Sequence, residues 1–312
     1  MKAVLPAIAR GLIEPGLPAG IDAAWFTTPD EAQAMIADAD IAWVDMQPTR
    51  LTEQAIRASG PKLKWVSTIY AGLDAFPLDL LRERGVVLTN GAGINAVAVA
   101  EYAVLGILAA AKRFDTVIRA ADRQDWLKDA PGKVELDGTS ALIIGYGTIG
   151  RLIGERLAAF GVAVTGVTRS GRDGTLTPDA WRARLGEVDW LVLAAPSTEA
   201  TKALIGPEEL AAMRCSAWLV NVARGDMVDE SALLAAITDG GIAGAFLDPT
   251  HPEPLPVGHP LWTAPNCMIS MHLSGRSQAT MFQRGAALFL DNLAAFVTGR
   301  PMRNVADLDA GY

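Results

Sequence analysis

Gly145, Gly147 and Gly150 stand at the spacing Gly-x-Gly-x-x-Gly, after the apolar run Ser140–Ile144 and at the head of a helical pattern. In a strand–turn–helix setting each glycine has a task. The first makes a tight turn, the second lets the backbone approach a pyrophosphate, and the third lets the helix pack on the strand. The helix N-terminus then offers N–H groups and partial positive charge to phosphate. Tyr146, Thr148 and Ile149 fill the positions between. The alternative is a glycine-rich turn with no ligand. The residue that selects among dinucleotides belongs at the end of the next strand, "AVTGV". An Asp or Glu there accepts hydrogen bonds from the ribose hydroxyls and repels a 2′-phosphate. This chain has Thr168, followed by Arg169, Ser170 and Arg172. A guanidinium binds phosphate through bidentate, charge-assisted hydrogen bonds. The loop therefore reads as a 2′-phosphate clamp, with NADP(H) preferred and NAD(H) possible; the alternative is a pair of solvated arginines.

Around this turn the chain carries, in order, "LKWVSTIYAGLDAFPLDLLRERGVVLTN", "AVAEYAVLGILAAAKR", "APSTEATKALIGPEELAAMR", "NVARGDMVDESALLAAI", "FLDPTHPEPLP" and "PNCMISMHLSG". Together with "GYGTIG", these motifs resemble the D-isomer-specific 2-hydroxyacid dehydrogenases over most of the chain. The resemblance implies a catalytic arginine at Arg224, glutamate at Glu253 and histidine at His272. It places Asp248 facing the nicotinamide carboxamide, and Ala195, Pro196, Val222, Ala223, Ser274 and Gly275 around the cofactor. Backbone N–H groups of Ala71, Gly72 and Leu73 are expected to hold a substrate carboxylate, with Gln47 and Tyr70 as further substrate contacts. A homodimer formed through the cofactor lobe is also implied.

The chemistry is coherent in itself. Reducing a 2-oxo acid requires a hydride and three further groups. A planar cation holds the carboxylate and polarises the carbonyl, which suits Arg224. An acid active near neutrality gives a proton to the developing alkoxide, which suits His272. A carboxylate beside that histidine favours its protonated form and fixes its orientation, which suits Glu253. Each residue has a plainer alternative. Arg224 caps a helix or pairs with Asp226 or Asp229, Glu253 is solvated, and His272 is a satisfied core histidine. His251 and His259 read as loop residues, His251 lying near the site at most. Two departures from the family pattern stand out. Met271 precedes the histidine where most members carry proline, and Pro249-Thr250 follows Asp248 where valine is usual. Either changes the pocket wall or the backbone pitch.

These residues need elements to position them. "IAWVD" (41–45), "LKWVSTI" (63–69) and "GVVLTN" (85–90) read as buried strands, with helices over 29–39 and 51–58. A second βαβα set spans 139–274. The order points to parallel sheets covered by helices. The stretch 95–114 is apolar almost all round, so it is expected to be buried on every side. A helical pattern then runs on to Lys128. An amphipathic helix over 278–299 is expected to return to the first lobe. The fold class is α/β in two lobes, a Rossmann dinucleotide-binding domain (95–275) inserted in a flavodoxin-like substrate-binding domain (1–94 plus 276–312).

Bulk properties fit this reading. The 312 residues include 27 Lys+Arg and 35 Asp+Glu, a net charge of −8. No basic block exists to track a phosphate backbone, so nucleic acid is not an expected partner. Pro6 and Arg10 interrupt the first apolar stretch, and Glu101 interrupts the longest one, so neither a leader nor a membrane span is expected. Cys215 and Cys267 read as small core hydrophobes in a cytoplasmic protein, with no metal site. The expected activity is NADPH-dependent reduction of a small 2-oxo acid, of glyoxylate or hydroxypyruvate type, to a D-2-hydroxy acid. The rivals are a cofactor-sensing co-repressor-like binding protein and a dehydrogenase of another D-hydroxy acid, such as phosphoglycerate.

Overall fold

The computed structural model describes every residue except Asp74, Ser277, Ala310 and Tyr312. The chain divides into two compact units, Met1–Asn95 with Gln278–Tyr312, and Ala96–Ser277. No helix among the described residues is long and apolar enough to cross a membrane.

The first unit holds strands β1 (Lys2–Pro6), β2 (Asp22–Phe26), β3 (Ile41–Ala42), β4 (Trp65–Ser67) and β5 (Val87–Thr89), with helices α1 (Arg10–Ile13), α2 (Pro29–Met35), α3 (Arg50–Arg57) and α4 (Leu78–Glu83). The strands pair in parallel in the order β2-β1-β3-β4-β5, the flavodoxin-like order. Side chains alternate between two buried faces. Val4, Ala42 and Val66 enter one cluster. Ala3, Leu5, Ile41 and Trp65 enter the other, with the C-terminal helix Met281–Val297. Phe289 of that helix stacks on Trp65, with centroids 5.1 Å apart. Burial and stacking of such a ring stabilise by about 3 kcal/mol. β1 and β2 are not among the strands read from the sequence, although β1 lies inside the sheet between β2 and β3.

The second unit holds α5 (Ala96–Lys112), α6 (Phe114–Asp122), β6 (Ser140–Ile144), α7 (Thr148–Ala159), β7 (Ala163–Val167), β8 (Trp190–Leu193), α8 (Pro207–Ala212), β9 (Trp218–Asn221), α9 (Glu230–Thr238), β10 (Gly244–Leu247) and β11 (Cys267–Ile269). The parallel order is β11-β10-β9-β8-β6-β7. A single bridge, Val167 to Leu176, adds an outer position beside β7. With it, the sheet has the Rossmann order, and its switch point lies between β6 and β8.

Three expectations need correction. α5 is not buried on every side: Leu105 is 53% exposed. Its other face is tight, since a Cβ on Gly106 would lie 2.5 Å from the Phe246 ring. The helical pattern after it stops at Asp122, because Gln124 takes φ 57° and ends the helix. Cys215 is exposed, in the turn between α8 and β9, whereas Cys267 is buried, and burial pushes its thiol up to about 12.

Candidate active site

The three glycines of the fingerprint are required for three different reasons. Gly145 has φ 94°, and a Cβ there would lie 2.3 Å from Ala195 N on the adjoining strand end. A Cβ on Gly150 would lie 2.2 Å from Gly145 O, so α7 could not pack on the turn. Gly147 differs: its φ is −82°, and a Cβ there meets nothing within 4 Å. Neither strain nor packing within the chain asks for glycine at 147. A ligand backbone passing close to the turn does, and this is the feature that fits a dinucleotide pyrophosphate to the site.

At the end of β7, Thr168 occupies the place of the selective acid and acts within the loop. Its Oγ1 accepts from Gly171 N at 3.0 Å and shares a 2.7 Å hydrogen bond with Thr175 Oγ1. Gly171 and Gly174 take φ of 63° and 76°, which folds the loop back. Arg169, Ser170 and Arg172 are exposed on it, and Arg172 Nε donates to Ser170 Oγ at 3.0 Å. Ala195 and Pro196 follow β8, while Val222 and Ala223 follow β9, so both pairs lie at the carboxyl edge of the sheet with the glycine turn.

Arg224 also follows β9. Asn221 holds its turn: Nδ2 donates to Arg224 O at 2.8 Å, and Oδ1 accepts from Ala223 N at 3.0 Å. The guanidinium donates to Ala223 O at 2.8 Å. Asp226 takes a hydrogen bond from Ser197 at 2.9 Å, and Asp229 caps α9 through Ala232 N. Gly225 lets the loop after β10 come close, since a Cβ there would lie 2.1 Å from Thr250 C. The Thr250 N–H in turn donates to Glu253 Oε1 at 3.1 Å. Asn221 and Gly225 were not singled out in the sequence, and Thr250 was noted only as part of the departure after Asp248. A glycine directly after the arginine and a threonine three residues before the glutamate were the available signals.

His272 Nδ1 lies 3.1 Å and 2.9 Å from the two Glu253 oxygens. The carboxylate thus holds the ring at Nδ1 and leaves Nε2 for another partner. Burial pushes the Glu253 carboxyl up. The hydrogen bond and charge of His272, the Thr250 N–H and the charge of Arg224 outweigh that, and its pKa lies below the usual carboxylate value. The three residues thus form one electrostatic group at the strand ends of a single sheet.

The backbone beneath His272 is strained. Met271 and His272 take φ of 56° and 54°, a region that side chains seldom adopt, at about 1–3 kcal/mol each. Asp248 sets this turn. Its backbone oxygen accepts from His272 N at 2.7 Å. Its carboxylate accepts from Ser270 Oγ at 2.6 Å, Leu273 N at 3.0 Å, Ser274 N at 3.2 Å and also Ser274 Oγ. Asp248 is buried, and its carboxylate fastens the histidine loop. Ser274 is buried with it, and Gly275 follows in a short helical turn. The Met271 departure also has a physical reason, because proline cannot reach φ 56°. His251 is exposed, and His259 pairs with Glu230 at 3.1 Å.

The remaining expected contacts belong to the first unit. Among the described residues, no acceptor takes the backbone N–H of Ala71, Gly72 or Leu73, in the turn after β4. Three unpaired N–H groups in one turn suit an anion. Gln47 Nε2 donates to Tyr70 Oη at 3.4 Å.

Comparison with known proteins places the chain in a family. The model of the D-isomer specific 2-hydroxyacid dehydrogenase NAD binding domain matches residues 104–274. Glyoxylate/hydroxypyruvate reductase B of Yersinia enterocolitica is 36% identical over 262 residues, 81% of this chain and 80% of that protein. A D-isomer specific 2-hydroxyacid dehydrogenase family protein from Aeromonas salmonicida matches in structure with TM-score 0.87 and 29% identity, covering 99% of each chain. An NADPH-dependent glyoxylate/hydroxypyruvate reductase from Sinorhizobium meliloti, solved with NADP and malonate, matches with TM-score 0.80 and 25% identity, covering 99% of this chain and 97% of that one.

Proposed function

The chain belongs to the D-isomer specific 2-hydroxyacid dehydrogenase family and is an NAD(P)-dependent oxidoreductase; from that premise we propose that it reduces a small 2-oxo acid, of the glyoxylate or hydroxypyruvate type, with NADPH. The observation that carries the reading is the bidentate Glu253–His272 contact beside Arg224. In this reading Arg224 takes the substrate carboxylate and polarises the neighbouring carbonyl. His272 gives a proton from Nε2 to the carbonyl oxygen, and Glu253 stabilises the imidazolium that makes this possible. The nicotinamide, when bound, supplies the hydride. The product is the D-2-hydroxy acid.

Preference for NADPH is supported by Thr168 in the place of an acid, by the exposed Arg169, Ser170 and Arg172, and by the NADP-bound relative. The reading includes a cytoplasmic homodimer. Leu105, Phe114 and Ile118 leave an exposed apolar face along α5 and α6, and Trp126 just beyond is 93% exposed. A second copy of the chain is the partner we assign to that face.

NADPH oxidation by the purified protein with a panel of 2-oxo acids tests the reaction. Turnover with glyoxylate or hydroxypyruvate and a D-configured product are expected; no turnover with any member of the panel would refute the reading. His272→Ala is expected to lower kcat by about two orders of magnitude or more.

A further inference from the structure

Arg151, in the first turn of α7, reaches toward the same loop as the clamp residues. Its guanidinium lies over the Tyr146 ring, 5.5 Å from the centroid. Its Nη2 donates to Asp173 Oδ2 at 2.9 Å. Of the two partners, Tyr146 is firmly placed and Asp173 lies on the exposed loop. Tyr146 fills a slot left by two glycines: a Cβ on Gly154 would lie 2.5 Å from its Oη, and one on Gly166 would lie 2.3 Å from its Cγ. Asp173 takes φ 57°, between Gly171 and Gly174, which turns its carboxylate back to α7. An exposed ion pair adds little stability, so the pair contributes little to folding.

We propose that Arg151 and Asp173 form a selectivity pair for the cofactor. Arg151 is a third guanidinium for the 2′-phosphate, and Asp173 holds it in place when that phosphate is missing. The proposal rests on the reading of the Arg169–Arg172 loop as the NADP(H) clamp. A phosphate monoester carries more charge and more acceptor oxygens than a carboxylate, so it displaces Asp173 from Arg151. With NADH nothing competes, and the ion pair stays closed. The carboxylate missing at position 168 is thus supplied from position 173, directed at an arginine rather than at the ribose.

Equilibrium binding without substrate tests this, by titrating NADPH and NADH into the wild-type protein, Arg151→Ala, Arg151→Lys and Asp173→Asn. Loss of one charge-assisted contact predicts NADPH binding weakened about tenfold in Arg151→Ala, with NADH changed less than about twofold. Removing the competing carboxylate in Asp173→Asn is expected to tighten NADPH about threefold. Arg151→Lys, which keeps the charge, restores part of the preference, a result that a merely structural role does not give. If Arg151→Ala weakens both cofactors alike, or neither, the selectivity pair is refuted while the clamp stands. If the wild-type protein binds NADH as tightly as NADPH, the clamp fails and the pair fails with it.

Discussion

Two loops at the strand ends of the second unit contain left-handed residues, and they are held in different ways. The loop after β7 turns at Gly171, Asp173 and Gly174. It is tied by the hydroxyl of Thr168 and stays largely exposed. The loop after β11 turns at Met271 and His272, with no glycine to ease the strain, and is fastened to the buried carboxylate of Asp248. The proposed function accounts for the difference by what each loop would do in it. A phosphate is found by long, adjustable arginines over several ångströms, so the loop beneath them tolerates slack. A proton is delivered from one ring nitrogen, and misplacement by about 1 Å is costly. Strain at His272 is therefore tolerated and offset by an array of hydrogen bonds.

The largest effect is expected when that array is broken. Asp248→Asn keeps the shape but turns one acceptor into a donor facing donors. We expect a loss of about 2–4 kcal/mol in urea unfolding. The fall in kcat should reach about one to two orders of magnitude as His272 loses its position. Wild-type values for both would show that the loop holds itself and that the contrast between the loops is false.

What the sequence disclosed divides along the same line. The Gly-x-Gly-x-x-Gly turn was legible because two of its constraints are local: a positive φ at Gly145, and Gly145 O within 2.2 Å of the position where a Cβ would sit on Gly150. The two sheets were legible as alternating apolar runs. β1 and β2 were not, since Lys2–Pro6 ends in proline, and Asp22–Phe26 is mostly half-buried at the sheet edge, so its apolar contrast is weak. Arg224, Glu253 and His272 were found through their motifs, yet the reason they meet was hidden. It lies in contacts between distant segments, Gly225 against Thr250 and Asp248 against Ser270–Ser274, which no periodicity encodes. The excess of apolar residues in α5 was visible, but not that Leu105 faces outward.

Position 271 gives the next test. Proline there would need φ near −65° where the loop has 56°. Met271→Pro is expected to lose about 2–3 kcal/mol of stability and about tenfold in kcat. Met271→Gly relieves the strain and is expected to gain up to about 1 kcal/mol. It lowers kcat a few-fold because the histidine moves more freely. Thermal unfolding and steady-state kinetics read both variants. A proline variant with unchanged kcat would mean that His272 does not depend on the left-handed turn.

The smallest effect is expected in the nucleotide loop. Thr168→Val removes the acceptor of Gly171 N and the partner of Thr175 while keeping nearly the same volume. The groups left behind lie near water, so the net loss is about 1 kcal/mol or less. The arginines above the loop then wander, and KM for NADPH should rise about threefold, the scale of a weakened exposed interaction. The kcat at saturating NADPH should stay at the wild-type value, because Asp248 and its hydrogen bonds are untouched. A fall in kcat under those conditions would mean that slack in the nucleotide loop reaches the reacting atoms, and the two loops would then be one mechanical unit.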